Sequence, residues 1–344
     1  MRLMKRCDGP WGAWISRPKR PKTPHPIPQK PKAIRAIKNL LRCPPPLFHS
    51  LKNLLKFGLY AIMFWVICMK KHLIVLDLDG TLLYDWETLT EDTCEYLKAL
   101  QTEGHTLVIA TGRPYRSSIF FYEQLGLNTP MINYNGGLIT WKSNPDFEEV
   151  NIPLDRDAVN DVFAKNRKRI ENAFCEIKDD IYLLEESEDI RNFFHFNEHV
   201  NLYVGEFSGK LPAGTNGCII MAKEKEGRLI EEYVEKHYKD IIKTRNWGND
   251  YESVIELYSP KTNKGIAIKH VAKHLGFDRD SIIAFGDGHN DIEMLEYAGV
   301  GVAMGNAHEE LKEVADVISP KNHQERAIEH FLDNYFQKKK VDSD

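Results

Sequence analysis

The sequence predicts an α/β fold in which a doubly wound parallel sheet is interrupted by a long insertion. Short runs such as HLIVLDL at 72–78 and LVIA at 107–110 are apolar almost throughout, as expected of strands covered by helices on both faces. Each such run ends in a cluster of Asp, Gly, Thr or Asn, where a parallel sheet places its ligand sites beyond the carboxyl ends of the strands. The stretch between Gly137 and Lys264 carries none of these clusters and is too long for a loop in a compact domain.

Strands are expected near 73–78, 106–110, 131–133, 281–285, 300–304 and 315–318, alternating with helices. From Leu73 to Leu78 the one polar side chain is Asp77. If extended geometry persists through Leu78, Asp77 and Asp79 point the same way, and Gly80 lets the backbone turn sharply behind them. Converging carboxylates repel, so the pair calls for a cation between them or a retained proton. The competing reading is an Asp-rich turn. LVIATGR at 107–113 ends a second strand in Thr111, Gly112 and Arg113, with Pro114 suited to a first helical position. A hydroxyl and backbone N–H groups at a helix start form a phosphate cradle, although Thr111 taken alone reads first as a plain helix cap.

In the insertion the pattern gives a helix near 154–169, strands near 172–185, a helix near 187–197, the strand CIIMAK at 218–223, a helix over 224–238 and a strand pair ending in SVIELYS. At NKG, 263–265, Asn263 can cap a helix with Ile266, Ala267, Val271 and Leu275 on one face. Lys264 then falls in the first turn, against the helix dipole; it marks either a bound anion or a solvated surface lysine. IIAFGDGHNDIEML at 282–295 runs from a strand into Asp287, Asn290 and Asp291, oxygen ligands suited to Mg²⁺. His289 has no Cys or second His at ligand spacing and reads as a rim residue. Asn306 with Glu309 matches a capping box.

Taken in order, DLDGT at 77–81, ATGR at 110–113, NGG at 135–137, NKG at 263–265, GDGHND at 286–291 and GVAMGNA at 301–307 resemble the haloacid dehalogenase superfamily, and within it the Cof-type sugar and small-metabolite phosphatases. The resemblance covers about residues 70–335. It implies an α/β cap inserted into the core, closing over the site and selecting substrate. It further implies that Asp77 is the nucleophile forming an aspartyl-phosphate, and that Asp79 is the acid that protonates the leaving oxygen and then activates water. Thr111, Gly112 and Lys264 would bind the phosphoryl group. Mg²⁺ would be held by Asp77, the Asp79 backbone carbonyl and Asp287, with Asn290 and Asp291 supporting the site. The family's Asp-Gly pair before the last helix is replaced here by a segment in which Glu325 and Arg326 fall near that place, which puts the local loop shape in question.

The expected organisation is a core of residues 70–141 and 256–344, an inserted cap at 142–255, and an extension at 1–69. Residues 1–71 hold 16 Lys or Arg against Asp8 alone, a charge of +15, whereas the remaining 273 residues sum to −19. The Pro-rich first 46 residues cannot bury enough apolar area to fold. Phe57 to Met69 is an uncharged run of 13, short of the ~20 a bilayer span takes. The extension reads as a membrane tether, a nucleic-acid arm, or a segment outside the working enzyme, since MKKHLIVLDLDGTLL from Met69 forms a self-sufficient start. On the last reading, protein begun at Met69 is expected to match the full chain in melting temperature and turnover. Membrane association is expected only if the extension is part of the working protein, and nucleic acid is not an expected partner. Six cysteines without CxxC spacing point to a reducing cytoplasm. The expected protein is a monomeric, cytoplasmic, Mg²⁺-dependent phosphomonoesterase acting on a small phosphorylated metabolite such as a sugar phosphate. A phosphomutase or phosphotransferase of the same fold, and an interaction protein working through the basic N-terminus, are the alternatives.

Overall fold

The computed structural model describes residues 70–178, 180–187, 190–191, 200–207, 210–246 and 253–341. The extension at 1–69 and most of the helix expected near 187–197 lie outside them. Strand β1 (Leu73–Leu76) leads through a tight turn to helix α1 (Glu91–Thr102), then β2 (Thr106–Ile109), α2 (Tyr115–Gln124) and β3 (Met131–Asn133). A hairpin of β4 (Leu138–Thr140) and β5 (Val150–Asn151) follows. Next come α3 (Arg156–Asn166), β6 (Ile170–Ile177), β7 (Asp180–Leu183), β8 (Asn201–Val204), β9 (Gly217–Ala222), α4 (Gly227–Tyr238), β10 (Lys243–Asn246) and β11 (Val254–Tyr258). The chain then returns through α5 (Lys264–Leu275), β12 (Ile282–Gly286), α6 (Ile292–Tyr297), β13 (Val300–Ala303), α7 (Glu309–Val314), β14 (Val317–Ile318) and α8 (Ala327–Val341).

The main sheet runs β14-β13-β12-β1-β2 and every pairing in it is parallel. Leu73 pairs with Thr106 on one side and Ile282 on the other, and all four β1 side chains are fully buried. Each such aliphatic side chain contributes about 1.5–3 kcal/mol on burial. Because the connection from β1 goes to β2 on one flank and β12 occupies the other, strand order switches at β1, and the crevice forms at its carboxyl end, where Asp77 stands. A bridge between Ala110 and Ile132 carries the β3-β4-β5 sheet on beyond β2. A second sheet, β10-β11-β9-β6-β7-β8, is antiparallel except between β7 and β8, and is covered by α3 and α4 around a separate apolar cluster that includes Phe163 and Ile220. Cys175 and Cys218 face each other across it as thiols, Sγ to Sγ 3.4 Å. Among the described residues no helix is long and apolar enough to cross a membrane.

The observed strands differ from expectation in three ways. The strand ends before Leu78, which opens the turn Leu78–Leu82; in it Asp79 keeps an extended backbone with φ −74° and ψ 125°, Gly80 takes φ 69° and Leu83 N–H donates to Leu78 O at 2.9 Å. The short strands β4, β5 and β8 were not anticipated: β5 is two residues long and β8 is largely exposed, so neither carries a period-2 signal. The Asn306 capping box does not form, since His308 precedes α7 and the Asn306 amide donates instead to Gly80 O, 2.8 Å away. Near the last helix, Glu325 accepts from Asn322 N–H, and Arg326 adopts φ 59°, a left-handed conformation that a glycine takes without strain.

Candidate active site

Three strand ends and one helix start build the site. Asp77 follows β1, and its N–H reaches Phe285 O of β12, which fixes the carboxylate beside Asp287 and Asp291. Lys264 opens α5, whose cap is the Asn263 side chain accepting from Ile266 N–H at 2.8 Å. The Lys264 side chain is fully buried and its Nζ donates to Asp77 Oδ1 at 2.5 Å and Asp291 Oδ1 at 2.6 Å. Asp291 accepts the N–H groups of Asp287 and Gly288 on its other oxygen, both at 3.0 Å. Asp287 accepts from the Thr81 hydroxyl at 3.2 Å. Gly80 makes this approach possible: a Cβ there would lie 2.2 Å from Asp287 Oδ2.

Asp77, Asp287 and Asp291 each offer a carboxylate oxygen within 4.8 Å of the other two. With all three ionised and only Lys264 inside the group, the cluster carries an excess of two negative charges. Burial, opposed by Lys264 and reinforced by Asp291 and Asp79, pushes the Asp77 carboxyl up to about 7. Burial, with the Asp77 and Asp291 charges, holds Asp287 well above the usual carboxylate range. Burial works against the Lys264 charge, but Asp291 and Asp77 outweigh it and raise its pKa above the ordinary lysine value. An oxygen-only donor set with two uncompensated negative charges fits a hard divalent cation such as Mg²⁺.

Asp79 stands apart from the three carboxylates. Its side chain is gripped by Arg113, whose Nε reaches Oδ2 at 2.8 Å and whose Nη2 reaches Oδ1 at 2.5 Å, the same Nη2 also donating to Trp86 O. The turn that Leu78 opens breaks the extended run through Leu78 on which the expected pairing of the two Asp side chains depended, yet Asp79 stays near enough for its charge to raise the Asp77 pKa. Asp291, expected only to support the site, belongs to the carboxylate cluster itself. Thr111 is fully buried, accepts from Arg113 N–H at 3.1 Å and does not cap a helix; Pro114, with ψ 162°, is the residue before α2 rather than its first. Gly112 lies against Asn135, whose side chain accepts from Asn290 Nδ2 at 2.9 Å, so the NGG and GDGHND segments meet across the Thr111 loop. His289 sits at the rim, 3.4 Å from Glu310 and ring to ring with His308 at 4.1 Å. Tyr182 stacks on Tyr203 in the second sheet.

Sequence reasoning left Arg113 without a role and gave Asn306 only that of a helix cap. Arg113 could have been suspected from its place in ATGR, but nothing local in the sequence pairs it with a residue 34 positions earlier. The packing that holds Lys264 in place is close: a Cβ on Gly265 would meet Glu293 O at 2.3 Å. Gly265→Ala is expected to cost about 1–3 kcal/mol, visible as a lower melting temperature. An unchanged melt would show that α5 and α6 part without strain.

The family's sequence profile, haloacid dehalogenase-like hydrolase, matches residues 74–332. The chain belongs to the haloacid dehalogenase-like hydrolases. It is 35% identical over 268 residues to the 5-amino-6-(5-phospho-D-ribitylamino)uracil phosphatase YitU of Bacillus subtilis (strain 168), an alignment covering 78% of this chain and 98% of that protein. Its fold matches a haloacid dehalogenase-like hydrolase from Bacteroides thetaiotaomicron with TM-score 0.66 at 24% identity, over 77% of this chain and all of the other, 100%. A sugar phosphatase of HAD subclass IIB matches with TM-score 0.62 at 23% identity, over 77% of this chain and 99% of the other. This haloacid dehalogenase-like hydrolase is a phosphatase whose parallel core carries a second α/β sheet region, the inserted cap.

Proposed function

We propose that this phosphatase is a Mg²⁺-dependent phosphomonoesterase that hydrolyses a small phosphorylated metabolite through an aspartyl-phosphate on Asp77. The observation that carries the reading is the buried Asp77 carboxylate, held on Lys264 beside two further carboxylates, with Asp79 poised on Arg113 next to it. Asp77 would attack phosphorus in line while the Lys264 ammonium and the Thr111–Gly112 loop hold the phosphoryl oxygens. Asp79, once released from Arg113, would give its proton to the leaving oxygen and take one from the water that cleaves the acyl-phosphate. Asp77, Asp287 and Asp291, with the Asp79 backbone carbonyl, would hold Mg²⁺, which when bound neutralises charge between nucleophile and phosphate. Asn290 supports the site through Asn135.

The substrate class we assign is a phosphate ester on a sugar or sugar-alcohol chain. The ribityl phosphate named for the relative from Bacillus subtilis is the first compound to try. A panel of phosphorylated metabolites assayed for released orthophosphate tests this directly: kcat/KM should be at least tenfold higher for sugar or ribityl phosphates than for p-nitrophenyl phosphate. A flat ranking would refute the assignment. We place the reaction in the cytoplasm, where thiols such as Cys175 and Cys218 stay reduced.

We take the second sheet, with α3 and α4, as the cap that selects the leaving group. Arg245 on β10 pairs with Glu256 at 3.3 Å and lies over the Tyr258 ring at 4.8 Å. Burial lowers the His289 pKa against the opposing Glu310 charge, and the Arg245 charge adds to the lowering. Arg245→Ala is expected to raise KM for metabolite substrates about tenfold, worth ~1.4 kcal/mol, while p-nitrophenyl phosphate turnover changes little. Equal effects on both substrates would take specificity away from this face.

A further inference from the structure

A cavity of about 120 Å³ lies outside the catalytic site, with none of Asp77, Thr111, Lys264 or Asp287 in its walls. It opens beside the first turn of α2, where Tyr115 and Arg116 line it, and over the β4 face that carries Thr140, with Lys142, Glu149 and Lys178 completing the rim. Lys178 comes from the turn between β6 and β7, so the cavity sits at the seam between core and second sheet.

Two of its cations are neutralised. Lys178 pairs with Glu149 at 3.0 Å, and Arg116 pairs with Glu176, both side chains almost wholly buried. Lys142 is different: its ammonium lies over the Tyr115 ring at 5.3 Å, and among the described residues it has no carboxylate partner. The start of α2 adds to this positive character, since Pro114 supplies no side-chain cap and the first turn holds no acidic residue. Thr140 supplies the second, independent observation. It is 4% exposed, lines the cavity, and its hydroxyl has no hydrogen-bond partner. A buried hydroxyl left in that state costs about 1–3 kcal/mol. The volume well exceeds the roughly 10–15 Å³ that one water needs. A water could satisfy Thr140 alone, whereas an oxyanion would also meet the exposed Lys142 ammonium and the helix start.

We propose that this cavity binds a free tetrahedral oxyanion, orthophosphate, at a second site distinct from the catalytic phosphate position. The ligand would accept from the Thr140 hydroxyl and the Lys142 ammonium at the positive end of α2, and through Lys178 it would join the cap to the core.

Calorimetric titration of the full chain with orthophosphate in the presence of Mg²⁺ tests this. The wild type should show two binding events. Thr140→Val, which replaces the hydroxyl with a methyl group of similar shape, and Lys142→Ala should each weaken one event at least tenfold. Thr140→Ser should restore it. In both weakened variants kcat and the competitive inhibition constant of orthophosphate against p-nitrophenyl phosphate should stay within twofold of wild type. A single event in the wild type, unaffected by either substitution, would mean that the cavity holds water only and would overturn the proposal. A change in competitive inhibition that tracks the loss of binding would overturn it too, by making the cavity part of the catalytic site.

Discussion

Asp77→Asn is expected to remove turnover by roughly 10³-fold or more, because an amide cannot accept the phosphoryl group and the neighbouring Asp287 and Asp291 are assigned to the cation. The fold should survive, since Asn nearly matches Asp in volume and Lys264 keeps Asp291 as its partner. In metal-free protein the variant should be the more stable one. The Asp77 pKa rises from 3.8 to about 7 on folding. Between those values the native state holds a proton that the unfolded chain has lost, so stability falls as pH rises through that window. The Asn variant lacks this contribution, and its advantage should grow from acid to neutral pH by at most about 1.4 kcal/mol for each pH unit crossed, less whatever the site recovers by relaxing. Thermal melts at acid and neutral pH, with chelator present, measure the gap. A variant less stable than wild type at neutral pH would show that the cluster is not under charge strain, and appreciable hydrolysis of p-nitrophenyl phosphate would remove Asp77 from the chemistry.

Chelation is expected to abolish activity and Mg²⁺ to restore it. The ion should also raise the melting temperature, by the equivalent of about 2.7 kcal/mol at 100-fold excess over its dissociation constant, because it binds the three carboxylates only when folding has brought them together. Ca²⁺ should stabilise the protein yet support turnover poorly, since its larger and looser shell misplaces nucleophile and phosphate. Full activity in excess chelator, or a melting temperature indifferent to Mg²⁺, would contradict the cation reading of Asp77, Asp287 and Asp291.

The residues that were legible in the sequence are those that sit where strand ends force them to sit. Asp77 and Asp287 follow adjacent parallel strands, β1 and β12, and the pairing Leu76↔Phe285 brings the two positions side by side. Lys264 stood out because a lysine at a helix start opposes the dipole, but the residue alone read as solvated surface and its phosphate role came from the resemblance; in the structure it is buried on the carboxylates Asp77 and Asp291. What sequence could not give depends on long-range loop geometry. The Arg113 grip on Asp79 needs the turn at Leu78, and the bond from Asn306 to Gly80 spans 226 positions. Asn306 carries a capping signature that the tertiary contact overrides. The strands β4, β5 and β8 were missed because two or three residues, or an exposed edge, leave no hydrophobic period to read. Arg326 shows a related limit, since its left-handed backbone is a place where the sequence offers no glycine to announce it.

The central claim is that a phosphoryl group passes through Asp77. Quenching the enzyme during turnover with borohydride, which reduces an acyl-phosphate to the alcohol, followed by peptide mass mapping, tests it most directly. The account predicts homoserine at position 77 in place of Asp, appearing only when substrate and Mg²⁺ are both present. An unmodified Asp77 alongside a reduced carboxyl at another residue, or no reduced carboxyl at all during rapid turnover, would contradict it.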